Sequence, residues 1–153
     1  MKIPMLEVCL DTSVWMKLWL PEEGSDLAHD LLATLAERDC TLIAPPTLAY
    51  EVASVLRVQV HRHILGADAA AAVWSAFRRY PLQVEAAPDL PDRAWVLASR
   101  LRLPTAYDAA FLCAAGSRPF VTADRALQEA CRGDPEVSVL DLAAARTALF
   151  GNG

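Results

Sequence analysis

Leu6-Glu7-Val8-Cys9-Leu10-Asp11-Thr12-Ser13 sets the reading of the whole chain. Residues 6–10 form an apolar run of strand length that stops on a carboxylate. Residues 13–20 follow directly and are apolar at nearly every position, which predicts a helix. A core strand that ends on an acid and feeds a helix marks the carboxyl edge of an α/β sheet, where ligands bind. The same step recurs at Phe120-Val121-Thr122-Ala123-Asp124.

Between and beyond these stretches, short apolar runs alternate with longer amphipathic segments. Strands are predicted over residues 6–10, 41–44, 82–84, 120–122 and 137–140. Helices are predicted over 13–20, 25–37, 47–62, 67–79, 91–100, 106–115, 124–131 and 142–149. Pro45-Pro46 stops the second strand. Asp68, Thr105 and Asp141 are expected as N-caps, and Gly116 as a helix C-terminus. Strands separated by helices need crossover connections, which implies a mainly parallel sheet covered on both faces.

The chain has 153 residues, of which 54% are hydrophobic and 22% charged, enough for one ordinary core. One domain is expected over residues 1–150, with 151–153 a short flexible tail. No apolar stretch reaches the ~18 residues of a membrane span. Residues 1–5 run into the first strand without a separate apolar segment and cleavage site, so no signal peptide and a cytoplasmic location are expected. Cys9, Cys40, Cys113 and Cys131 lack the spacings of zinc or redox motifs and read as reduced core thiols. A net charge of −5 argues against gripping nucleic acid through a broad basic surface. It leaves room for a nuclease whose bound cations meet the phosphate.

Four acids stand where a charge needs a reason. Asp11 and Asp124 follow strands, and they share one crevice if the first and fourth strands are neighbours. Glu51 lies in an apolar stripe with Thr47, Leu48, Ser54, Val55 and Val58 on its helix face. Asp108 carries the one charge of an apolar helix and has Phe111 and Leu112 three and four residues on. Buried carboxylates are costly unless paired, protonated or bound to metal. Each also has an ordinary reading: Asp124 as a helix N-cap, Asp108 as a first-turn dipole residue, Asp11 as a turn residue, Glu51 as a partner of Arg57 or another arginine. Converging together, they point to a divalent-cation site.

The pieces Leu10-Asp11-Thr12-Ser13, Ala44-Pro45-Pro46 leading to Tyr50-Glu51-Val52, Tyr107-Asp108-Ala109-Ala110 and Phe120-Val121-Thr122-Ala123-Asp124 resemble the PIN-domain ribonucleases, especially VapC-type toxins of toxin–antitoxin pairs. Order and spacing agree over roughly residues 6–142. The resemblance implies a three-layer α/β/α fold and a Mg²⁺- or Mn²⁺-dependent endoribonuclease. It implies Asp11 and Asp108 as direct metal ligands, with Glu51 and Asp124 completing the site directly or through water. Ser13 and Thr122 would hydrogen-bond the carboxylates or the attacking water. The donor set suits Mg²⁺, which prefers oxygen ligands and keeps several waters. In-line attack by water would leave a 3′-hydroxyl and a 5′-phosphate.

Arg57, Arg62, Arg78, Arg79 and Arg125 are candidates for an RNA path. The first helix, with Val14, Trp15, Met16, Leu18, Trp19 and Leu20 around Lys17, is too apolar for a surface helix. By the resemblance, an antitoxin segment is expected near Trp15 and Trp19, and a homodimer. Three other readings carry less. A non-catalytic PIN-like interaction module would not need all four acids. Phosphotransfer folds want a second acid beside Asp11, where Thr12 and Ser13 stand. His61 and His63 form too sparse a set for a transition-metal site.

Overall fold

Five parallel strands in the order β3-β2-β1-β4-β5 form one sheet, with β1 (Glu7–Leu10) at its centre. β2 (Thr41–Ala44) and β4 (Phe120–Thr122) flank it, and β3 (Leu82–Val84) and β5 (Leu140–Asp141) form the edges. The computed structural model describes residues 5–152. The expectations for residues 1–4 and for residue 153 lie outside them.

Each parallel step requires a crossover. α1 (Thr12–Trp19) and α2 (Ser25–Glu37) join β1 to β2. α3 (Thr47–His61) and α4 (Ala67–Arg78) join β2 to β3. α5 (Leu90–Leu101) and α6 (Tyr107–Ala115) lead to β4, α7 (Arg125–Cys131) leads to β5, and α8 (Leu142–Phe150) follows it. The result is the expected three-layer α/β/α architecture.

Registers Cys9↔Phe120 and Leu10↔Val121 bring the ends of β1 and β4 side by side. Strand order reverses here, because the chain leaves β1 for β2 on one side and reaches β4 on the other. The crevice beyond a switch point is the ligand position of open α/β sheets.

Val8, Cys9 and Leu10 are all buried, as a central strand covered on both faces requires. Val14, Trp15, Met16 and Leu18 of α1 join the same core. Trp15 stacks on Trp19 at 5.8 Å and meets Phe77 and Tyr80 edge-on, tying α1 to the end of α4. A second small cluster, Ala94, Ala98, Ala109 and Ala110, lets α5 and α6 pack closely.

Two kinds of boundary differ from expectation. The last strand was expected over 137–140 but is Leu140–Asp141. Strand β4 has three residues, and only Val121 and Thr122 pair with β5, so Val137 and Val139 have no ladder partner. They pack partly against the core instead. Among the caps, the Asp141 carboxylate does accept from the Ala144 amide at 2.7 Å. Asp68, however, lies within the first turn of α4 behind Gly66, and Thr105 precedes Ala106, the N-cap of α6. Gly116 ends α6 with φ +60°, a conformation that favours glycine. All four cysteines are free; Cys9 and Cys131 are buried and the other two half-buried.

Candidate active site

Asp11 lies one residue beyond β1 and begins α1. Its amide extends the β1–β4 ladder by donating to the Val121 carbonyl at 2.9 Å. The side chain does not cap its own helix. It is instead held by two hydroxyls converging on Oδ2, Ser13 Oγ at 2.7 Å and Thr122 Oγ1 at 2.7 Å. Each hydroxyl is fixed in turn by a backbone amide. Ala123 N donates to Ser13 Oγ at 3.0 Å, and Asp124 N donates to Thr122 Oγ1 at 3.0 Å. Accepting from an amide leaves each hydroxyl its proton for the carboxylate. Asp11 is only 5% exposed. Burial pushes its pKa up, opposed by Ser13, Thr122 and the Thr12 amide, and the charge of Asp124 adds to the rise.

Asp124 caps α7, its Oδ1 accepting from Ala126 N at 2.8 Å and Leu127 N at 3.1 Å. The ordinary reading of this residue is therefore correct as far as it goes. The same carboxylate also repels the charges of Asp11 and Asp108, adding to the rise in the pKa of each.

Glu51 projects from the second turn of α3. Burial, then the charges of Asp11 and Asp108, pushes its pKa up to about 7. The Thr47 and Thr12 hydroxyls stand near enough to favour the ionised form, yet neither closes a hydrogen bond. Glu51 Oε2, Thr47 Oγ1 and Thr12 Oγ1 are buried without a partner among the described residues. Asp108, in the first turn of α6, is pushed up to about 6 by burial and by Asp11 and Asp124. Glu51 does not pair with Arg57, and none of the four acids forms an ion pair among the described residues.

Asp11 thus acts on Glu51 and Asp108, and Asp124 acts on Asp11 and Asp108, with Ser13 and Thr122 holding Asp11, the deepest of the four. Among the described residues no three carboxylates close tightly enough to form a ready ligand set. The donors are all oxygen, and Glu51 Oε2 is an orphaned buried acceptor. A hard divalent cation that keeps several waters fits such a set, because it needs only one or two carboxylates directly. Thr12 and Thr47 were not singled out as site residues from sequence. Thr47 had a signal, since it lies one helical turn before Glu51; Thr12 had none.

A model of the PIN domain matches residues 7–126, from β1 into α7, and so includes all four acids. The chain belongs to the PIN domain family. PIN domains are generally nucleases. The crystal structure of VapBC2 from Rickettsia felis bound to a DNA fragment from their promoter contains a similar chain. The likeness covers 89% of this chain and 98% of that one, with TM-score 0.66 and 12% identity. PAE2754 from Pyrobaculum aerophilum is similar over 97% of this chain and 100% of its own, with TM-score 0.68 and 22% identity. At these identities the likenesses are of fold. No curated protein matches the sequence.

Trp15 is buried, with 1% of its surface exposed, so a binding role for it at the surface is not what the fold offers. Trp19 is half-buried. Among the described residues no helix is long and apolar enough to cross a membrane.

Proposed function

We propose that this PIN domain is a Mg²⁺- or Mn²⁺-dependent endoribonuclease and the toxin of a type II toxin–antitoxin pair. One observation carries the reading. Asp11, Glu51 and Asp108 each have a pKa raised by burial and by the charge of at least one other of the four acids, and none of the four forms an ion pair among the described residues. Asp11 and Asp108 would bind the metal directly, with Glu51 and Asp124 completing the site directly or through water. The bound cation would supply a water of lowered pKa and neutralise phosphodiester charge. Ser13 and Thr122 orient Asp11. Glu51 and Asp124 would help position an attacking water, whose in-line attack would leave a 3′-hydroxyl and a 5′-phosphate. The exposed Arg57, Arg62, Arg78, Arg79 and Arg125 would flank the RNA.

The likeness to the VapBC2 chain supports the toxin reading. A cognate antitoxin segment would meet the α1 surface at Trp19, with Trp15 beneath it as packing. The same reading takes residues 1–150 as one nuclease domain, acting as a homodimer in the cytoplasm. Cleavage of a mixed pool of structured RNA by the wild type and by Asp108→Asn tests it. Cleavage that needs Mg²⁺ or Mn²⁺ and disappears in the variant is expected. No cleavage by either protein, together with no Mn²⁺ binding, would leave a non-catalytic interaction module.

A further inference from the structure

Next to the acids lies a groove of about 430 Å³ whose walls include Pro46, Thr47, Ala87, Pro88, Pro91 and Tyr107. Two of its lining residues neighbour the acids along their helices. Thr47 stands beside the Glu51 carboxylate, and Tyr107 immediately precedes Asp108. The lining carries no charged side chain; the Thr47 hydroxyl is buried, which leaves Tyr107 to offer the groove a side-chain hydroxyl. Tyr107 is 56% exposed and Tyr50 79% exposed, the latter one helical turn beyond Thr47 on α3. The Tyr107 ring is thus a wall of the groove that stays open to water, next in the chain to Asp108.

We propose that this groove receives one unpaired nucleobase of the RNA, stacked on the Tyr107 ring between the Pro46 wall and the Pro88–Pro91 wall. The inference rests on the ribonuclease reading and names the substrate form, a single-stranded segment at the cut site. Three properties fit a base. Aromatic and proline faces stack on any base without reading its edge. The walls offer almost no hydrogen-bonding groups, so the subsite tolerates all four bases and rejects paired ones. Thr47 lies one helical turn before Glu51 and Tyr107 immediately precedes Asp108, so a nucleotide seated there would direct its neighbouring phosphate toward the acids.

Tyr107→Ala, Tyr107→Phe and Ala87→Trp test this, the last filling the groove from an exposed position. The readouts are the affinity of a fluorescently labelled single-stranded RNA for each variant in an Asp108→Asn background, and kcat/KM in the active protein. Tyr107→Ala and Ala87→Trp should each weaken both by roughly tenfold to a hundredfold, whereas Tyr107→Phe keeps the ring and stays near wild type. An RNA with an abasic residue at the occupied position should bind the parent protein as weakly as intact RNA binds Tyr107→Ala. Unchanged RNA affinity and cleavage in Tyr107→Ala and Ala87→Trp would overturn the subsite while leaving the ribonuclease standing. So would loss of a protein partner's binding alone, which would assign the groove to a peptide. No RNA binding or cleavage by the parent proteins would overturn both.

Discussion

In metal-free buffer, Glu51→Gln should make the protein more stable at pH 8 and leave it unchanged at pH 4. Burial and the charges of Asp11 and Asp108 raise the folded-state pKa of Glu51 from 4.5 to about 7. Between those two values the folded protein holds a proton that the unfolded chain has lost. Stability from this group is therefore full below pH 4.5 and falls as pH rises through 7. At about 1.36 kcal/mol per pH unit the full cost of ionisation would be about 3.4 kcal/mol. Water reaches the half-buried carboxylate and screens it, which reduces the figure to roughly 1–2 kcal/mol. Glutamine keeps the shape without the charge and recovers that amount at pH 8. For a chain of this length the melting temperature should rise by roughly 2–8 °C. Thermal unfolding with a chelator present, at pH 4 and pH 8, measures it. An equal shift at both pH values, or destabilisation at pH 8, would show that Glu51 is not ionised against its neighbours.

Thr122→Val removes the buried hydroxyl shared by Asp11 Oδ2 and the Asp124 amide. It should cost roughly 1–3 kcal/mol of stability and lower RNA cleavage at least tenfold, with Thr122→Ser restoring much of both; full activity in Thr122→Val would remove the orienting role. Trp15→Ala should destabilise the fold by about 3–5 kcal/mol, because it empties an aromatic core site. Trp19→Ala should cost less stability and weaken antitoxin binding, and unchanged antitoxin affinity would move the partner elsewhere.

The switch point was legible because its two acids sit at the abrupt ends of apolar runs. Once β1 and β4 pair, Asp11 and Asp124 have nowhere else to go. Glu51 and Asp108 were legible for a different reason, as charges on apolar helix faces. The ordinary N-cap reading of Asp124 also proved correct, so one carboxylate serves both as cap and as member of the cluster. What sequence did not give were features set by tertiary geometry. The length of β5 follows from which residues of β4 face it, and no local pattern carries that. The N-caps Gly66 and Ala106 have no capping side chain, so the nearby Asp68 and Thr105 drew the boundaries to themselves. The burial of Trp15 depends on Phe77 and Tyr80, more than 60 residues away in sequence. The exposure of Tyr50 and Tyr107 likewise follows from how α3 and α6 are turned against the sheet.

Calorimetric titration of Mn²⁺ into the wild type and into Asp11→Asn is the most direct test of a divalent-cation site at these acids. The wild type should bind, with affinity that falls as pH drops from 7.5 toward about 6, where Glu51 and Asp108 take up protons. Asp11→Asn should lose that binding. Absence of Mn²⁺ binding by the wild type, or equal binding by Asp11→Asn, would contradict it.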